Sequence, residues 1–158
     1  MSELKNQMVV FRLGDQRYAL MLAAVERIVR AVEVIPLPRS PAIVMGVINV
    51  EGRILPVLNV RARVGQPNKE ITPDDHFLIA RTERREVVLV IDEPEGVIES
   101  AAADITDPDG IVPGVDQLKG VIKFDDGLVL IYDLEKFLSA DEEAALGDAM
   151  EKEAAHGR

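Results

Sequence analysis

Enzymatic and metal chemistry need nucleophiles, titratable groups or soft ligands at short spacing, and this chain supplies few. It has no cysteine. That excludes disulfides, thiolate catalysis and cysteine zinc sites. The two histidines are His76 and His156, and the second lies two residues before Arg158. A multi-histidine metal site would need both of them. His76, flanked by Asp74 and Asp75 just after Pro73, is the one plausible base for a nucleophile–His–acid triad. A solvated strand start accounts for it more simply. Asp104, Asp107 and Asp109 with Gly110 resemble part of a calcium loop. The EF-hand spacing and its closing Glu are missing, so a turn-rich surface loop is expected. No Gly-x-Gly-x-x-Gly or Walker pattern occurs, which leaves nucleotide binding without support. Arg61, Arg63, Arg81, Arg84 and Arg85 are interleaved with acids and read as solvated turns. The expectation is no catalytic residue, no metal and no cofactor. A small enzyme on a barrel fold is the outside competitor.

The elements that hold such sparse chemistry follow from composition and pattern. The 158 residues are 47% hydrophobic but only 4% aromatic, which suits one small domain with an aliphatic core. Lys and Arg number 18 against 28 Asp and Glu, a net charge of −10. That balance opposes nucleic acid and anionic lipid as partners. No apolar run reaches the roughly 18 residues of a membrane span. Met1–Gln7 lacks the layout of a signal peptide. A cytoplasmic domain is expected, with no direct membrane insertion.

The apolar segments are short and rich in Val and Ile. Met8–Leu13 is a strand candidate, turned at Gly14–Arg17 into Tyr18–Leu20. Val25 to Ile35 has an ambiguous period, helix turn or strand, and Pro36 and Pro38 forbid a long helix there. Ser40-Pro41 has the form of a cap and first residue of a short helical turn. Gly46–Val50, Arg53–Val60, Phe77–Arg81, Glu86–Ile91, Gly120–Phe124 and Leu128–Leu134 are further strand candidates. Asp125-Asp126-Gly127 is the clearest hairpin turn, because Asp-Gly tolerates positive φ. Pro56 cannot donate to a ladder, so a sheet edge or bulge is expected there. Short strands at this spacing suggest a barrel or sandwich. Glu99 to Leu118 reads as an extended surface connection. Ser139–Arg158 is an acidic C-terminal helix with a Ser139–Glu142 capping box, and Gly147 is expected to let its end fray.

Two stretches repeat each other. Gly46–Val60 and Gly120–Leu134 both read Gly-Val-Ile, polar, apolar, acid, Gly, then an apolar strand ending in Asn or Asp plus an aliphatic. Their offset is 74 residues (120 minus 46), close to half the chain. A duplicated β-hairpin leaves such a signature, and the two hairpins should occupy equivalent positions.

These residues resemble the CheW family of chemotaxis coupling proteins. The specific segment is Pro36-Leu37-Pro38 followed by Gly46-Val47-Ile48-Asn49-Val50-Glu51-Gly52-Arg53-Ile54-Leu55-Pro56-Val57-Leu58-Asn59-Val60-Arg61. Gly46, Asn49, Gly52, Pro56 and Gly120 are its structural signature. Phe11-Arg12-Leu13, Tyr18-Ala19-Leu20, Val90-Ile91-Asp92-Glu93 and Gly96-Val97 are similar to other family segments. The resemblance spans about 8–138, with 139–158 as an acidic helical tail. It implies a mainly β fold of two five-stranded SH3-like or OB-like barrels that exchange strands. It implies a non-enzymatic adaptor between the regulatory domain of a CheA-type histidine kinase and the cytoplasmic tip of chemoreceptors, recruited to membrane receptor arrays. A groove between the barrels would receive the receptor. The resemblance places Ile28 and Val97 there, although by residue type Val25, Ile28, Val29 and Val97 suit a core as well. Glu51 stands where the family carries Arg, and Arg27 where it can carry an acid. This implies an inverted cross-strand pair Arg27–Glu51, and an alternative in which the scaffold serves a non-standard receptor or another input. Asn59-Val60 replaces the family's Asp-Leu. The residues of a kinase interface are not indicated.

Overall fold

A computed structural model describes residues 7–100, 104–107 and 118–156, the side chains of 153–156 excepted. Among these residues ten strands form two five-stranded sheets. They are β1 (Gln7–Leu13), β2 (Gln16–Met21), β3 (Val25–Arg30), β4 (Val44–Val50), β5 (Arg53–Leu58), β6 (His76–Arg81), β7 (Glu86–Ile91), β8 (Glu93–Glu99), β9 (Leu118–Phe124) and β10 (Gly127–Tyr132). Helix α1 spans Val60–Val64 and helix α2 spans Ala140–His156. Sheet one has the order β8-β1-β2-β10-β9, and sheet two β3-β6-β7-β5-β4.

The two orders are one pattern drawn twice. A hairpin, β1–β2 or β6–β7, lies in the middle. An antiparallel strand flanks its first member, and a second hairpin joins its other side through a parallel contact. The chain crosses between sheets twice. After β2 it leaves sheet one to supply β3–β5 to sheet two, and after β7 it returns to supply β8–β10 to sheet one. The repeated hairpins, β4–β5 and β9–β10, therefore hold equivalent places, and strands are exchanged as expected.

The equivalence extends to single residues. Gly46 faces Val57 as Gly120 faces Ile131, and each hairpin skips one residue just before its glycine, Met45 or Lys119. Both glycines meet the chain that follows the crossing strand. A Cβ on Gly46, whose φ is 151°, would lie 2.4 Å from the Ile35 carbonyl oxygen. One on Gly120 would lie 2.3 Å from Ile105 Cγ2. Glycine is needed because backbone or a packed branch fills the space a side chain would take.

The sheets are rolled but are not closed barrels. Each is stitched edge to edge by one antiparallel bridge, Ile35 with Val47 and Thr106 with Val121. The two N–H···O bonds of the first are both 2.8 Å.

Alternation along the strands divides the apolar residues among three cores. Met8, Val10, Ala19, Ile122, Val129 and Ile131 fill sheet one. Phe77, Ile79, Val88, Ile48, Leu55 and Val57 fill sheet two. A larger core takes Val9, Phe11 and Leu13 from one central hairpin and Leu78, Val87 and Leu89 from the other, so both hairpins are buried on both faces. Phe11, Tyr18, Tyr132 and Phe137 form a run of ring contacts through it at 5.6 to 6.0 Å. Burial pushes the Tyr132 hydroxyl up to about 12, with nearby Tyr18 adding to the shift.

Several local expectations are corrected. Ser40 donates to the Leu37 carbonyl rather than capping a helix, and 38–43 forms turns. Pro56 lies in an internal strand, neither at an edge nor at a bulge. Val47 opposite it spends both backbone groups on Ile35, so Pro56 faces a pair without hydrogen bonds, and the contact with β7 begins only at Val57. The expected strand end Asn59–Val60 is instead the start of α1, with the Asn59 side chain accepting from Ala62 N. The region 93–99 is a strand, β8. Of the expected connection 99–118, residues 101–103 and 108–117, including Asp109 and Gly110, lie outside the described residues. The Ser139–Glu142 capping box is present in both directions. Gly147 lies inside the helix, which continues to His156. Arg85 crosses it there, a Gly147 Cβ would lie 3.3 Å from the Arg85 guanidinium, and Leu146 and Ala149 are buried in the shared core.

Candidate functional site

The side chains that raised the question of catalysis are spent on structure. The Asp75 carboxylate is buried and accepts from Lys69 Nζ at 2.7 Å and Thr72 N at 2.8 Å. The His76 ring faces the Asp92 carbonyl oxygen, Nδ1 to O 3.2 Å. Asp74 is exposed and faces Arg30 at 3.9 Å. Three of the five arginines of the scattered basic set are drawn into ion pairs, Arg61 with Asp92, Arg63 with Glu142 and Arg85 with Glu143. Among the described residues no group of three or more His, Cys, Asp and Glu could hold a metal.

Arg27 and Glu51 do meet, Nη2 to Oε1 3.4 Å. They are not on neighbouring strands, as a cross-strand pair would require. β3 and β4 are the two outer strands of sheet two. The contact therefore spans the seam where the sheet rolls upon itself, at the hairpin beyond the Ile35–Val47 stitch. Glu51 and Gly52 have φ values of 53° and 88°, the positive pair that a tight primed turn requires. Asn49 Oδ1 accepts from Gly52 N at 2.8 Å and holds that turn. Glutamate has no preference for this left-handed region and is strained there. Asn49, Gly52 and Gly46 thus present Glu51 to Arg27.

Ile28 pairs with Leu78 on β6, and Val97 pairs with Val9 on β1. Both partners belong to the shared core, so Ile28 and Val97 stand on the core-facing side of two different sheets. They are equivalent positions of the repeat. Each lies two residues after the skipped residue of its strand, Glu26 and Glu95. Ile28 packs partly against the core, whereas Val97 is 54% exposed.

Beside Arg27 lies a second charged group. Glu86 pairs with Arg53. Glu26 shares a hydrogen bond with Glu86, which holds the Glu26 carboxyl above its ordinary range and the Glu86 carboxyl below it. Arg27, Glu51, Arg53 and Glu86 thus form a chain of alternating sign at one end of sheet two, with a second carboxyl, Glu26, beside Glu86.

Asp92 was missed as a site, named only within a family segment. It is the single residue between β7 and β8, and its carboxylate accepts from Gly14 N at 2.8 Å and from Arg61 Nη2 at 2.7 and 2.8 Å. Burial pushes its pKa up, and the Gly14 N–H and the Arg61 guanidinium more than offset this, leaving it below the usual aspartate value. Nothing in the run Ile91-Asp92-Glu93-Pro94-Glu95 sets Asp92 apart from the acids that follow it. A cavity of about 740 Å³ lies between α2 and the β6–β7 turn, lined by Arg84, Arg85, Phe137, Leu138, Ala144 and Gly147. It is not built from the expected groove residues.

A family model described as a CheW-like domain matches residues 7–142. The chain is 27% identical over 142 residues to the chemotaxis protein CheW of Rhizobium meliloti, covering 89% of this chain and 92% of that one. It is 29% identical over 120 residues to protein FrzA of Myxococcus xanthus, covering 75% of each. The crystal structure of the scaffolding protein TtCheW from Thermoanaerobacter tengcongensis matches with a TM-score of 0.77 at 25% identity, covering 87% of this chain and 90% of that one. A repeated, strand-exchanging pair of rolled sheets, a charged seam on one of them and a family match over both make this chain a member of the CheW-like domain family.

Proposed function

We propose that this protein is the adaptor of a chemosensory array, joining the cytoplasmic tip of a chemoreceptor to the regulatory domain of a CheA-type histidine kinase. It acts in the cytoplasm without turnover and reaches the membrane through its partners. No helix among the described residues is long and apolar enough to cross a bilayer. Residues 8–138 carry the coupling surfaces, and the acidic helix in 139–158 braces them through Leu146. The observation that supports the reading best is the Arg27–Glu51 pair. It stands next to Ile28, at the positions where the family's receptor groove is expected, on a turn that keeps a strained glutamate. Arg27, Ile28, Glu51 and Val97 are the receptor-facing residues of this reading.

The order of charges favours a second reading within the same class, a scaffold for a receptor of unusual polarity or for another input. Charge patterns set specificity more than affinity, and this pair is reversed relative to the family. Calorimetry with the purified chain, the regulatory domain of its own organism's kinase and cytoplasmic receptor fragments tests both. Micromolar binding corresponds to roughly −8 kcal/mol. Binding to kinase and receptor supports the adaptor, and binding to the kinase alone supports the second reading. No binding to any kinase rejects both.

A further inference from the structure

Asp92 carries the chain from sheet two back to sheet one, and its polar groups are committed to both. Its N–H donates to the Arg12 carbonyl of β1 at 3.0 Å. Its carbonyl faces His76 of β6. Its carboxylate takes the N–H of Gly14, in the β1–β2 turn, and the guanidinium of Arg61, on α1 after β5. Two of these four contacts reach sheet one and two reach sheet two. Arg61 is itself fixed. The Asn59 cap holds the first turn of α1, and a further Arg61 nitrogen donates to the Pro67 carbonyl at 3.3 Å. Arg63, two residues on, turns to Glu142 of α2. α1 is thus braced between the crossing residue and the C-terminal helix. The equivalent crossing, Leu22–Ala24 between β2 and β3, has no polar side chain.

We propose that Arg61 and Asp92 form a clasp that sets the angle between the two sheets, with Arg61 as a positioning residue for Ile28 and Val97, one on each sheet. A charge-assisted bond in a partly buried place is strong and directional, whereas the shared aliphatic core resists separation of the sheets but resists a small rotation weakly. The core holds the sheets together, and the clasp selects one angle. Its effect on receptor binding rests on the adaptor reading. The angle itself does not.

The chain has no native cysteine, so Ile54→Cys on β5 and Lys123→Cys on β9 place one spin label on each sheet, both at exposed positions. Pulsed-EPR distances and thermal melts are then measured on the clasp variants. Arg61→Ala and Asp92→Asn are expected to broaden the distance distribution at least twofold in folded protein, and Arg61→Lys to restore most of the narrow distribution. Should Arg61→Ala fail to fold, Asp92→Asn, which keeps an acceptor for Gly14, decides the matter. An unchanged distribution in the folded variants overturns the clasp. So does broadening that Arg61→Lys leaves in place, since that marks general loosening of α1. A cytoplasmic chemoreceptor fragment should bind Arg61→Ala about tenfold more weakly than the unsubstituted chain. Equal binding despite broadened distances overturns the positioning role. No binding by the unsubstituted chain rejects the adaptor reading, while the distances still decide the clasp.

Discussion

The two sheets share an interior and differ at their rims. Position for position, Met8, Val10, Ala19, Ile122, Val129 and Ile131 answer Phe77, Ile79, Val88, Ile48, Leu55 and Val57. The register shows this, since Val10 faces Ala19 as Ile79 faces Val88, and Ile122 faces Val129 as Ile48 faces Leu55. At the rims the likeness stops. Gly96 stands where Arg27 stands, opposite Val10 as Arg27 is opposite Ile79. Arg17, which meets Asp126 and lies over the Phe124 ring, holds the place of Glu86, which meets Arg53. In β4–β5 the non-glycine Glu51 has positive φ, whereas in β9–β10 only Gly127 does, at 137°. Duplication preserved what packs and released what faces outward. Among the described residues only sheet two has an ion pair across its seam at the Arg27 position, since Gly96 has no side chain to offer one.

If the interiors are equivalent, equivalent deletions should cost in proportion to what they remove. Phe77→Ala is expected to lose about 4 kcal/mol and Met8→Ala about 3 kcal/mol, since both are wholly buried and the aromatic ring leaves the larger void. Denaturant unfolding measures both, and a much smaller loss in sheet one would mean its interior collapses around the gap and is not an equivalent core.

The seam glycines sharpen the comparison. Gly46→Ala drives a Cβ into backbone at a positive φ and should cost about 3 kcal/mol. Gly120→Ala meets the Ile105 side chain, which can shift, and should cost about 1–2 kcal/mol. Equal losses would show that the two stitches are equally rigid.

The clasp and the helix cap should be visible in acid. Asp92 and Glu142 both have pKa values lowered in the folded chain. For each, burial acts upward and is outweighed by backbone and guanidinium donors, Gly14 and Arg61 for Asp92, Ser139 and Arg63 for Glu142. A lowered folded pKa stabilises the fold above the ordinary value and is lost as pH falls through the folded value. The contribution of these two carboxylates should be flat above about pH 4.5 and decline below it. The decline should be shallower in Asp92→Asn, which has no carboxylate at that position to protonate. An unchanged acid limb in that variant would deny the carboxylate its stabilising role.

The smallest effect is at Arg27–Glu51. Each single reversal, Arg27→Glu or Glu51→Arg, should cost less than about 1 kcal/mol, because the side chains are 45% and 71% exposed. The double reversal should recover the loss, since touching residues are non-additive. Its effect on receptor preference, read by pull-down, should exceed its effect on melting. Strict additivity would mean that the ion pair does not form in solution.

The hairpins were legible because their turns carry punctuation and their strands alternate. Gly46 and Gly120 were legible as a repeat before their cause, an encroaching backbone or side chain, could be seen. β8 was not, because Glu93-Pro94-Glu95-Gly96 has neither the apolar alternation nor the β-branched residues of a strand. It is made a strand by its long pairing with β1, a tertiary effect. α1 was not legible because its first residue, Val60, reads as the end of the apolar strand Arg53–Val60 and Arg61 and Arg63 read as a solvated turn, although Asn59 and Gly65 are a good cap and stop. The meeting of Arg27 and Glu51 came from family resemblance, since no spacing rule joins the two outer strands of a rolled sheet. Asp92 was invisible because its importance lies in where the chain changes sheets.

The double crossing has a consequence for how the molecule comes into being. Residues 7–58 supply two strands to sheet one and three to sheet two, and residues 76–132 supply the remainder of each. Neither half of the chain contains a whole sheet. Half of the eight strand pairings are remote along the chain and the loops that close them are long, so assembly should be slow for a protein of this size. Sheet two is complete only once the chain has emerged as far as Ile91, and sheet one only at Tyr132. During that interval the first half is a set of unmatched strand edges whose complement, by duplication, resembles itself. Two nascent chains could therefore pair through their first halves, which makes mispairing between copies the characteristic hazard of synthesis for this fold.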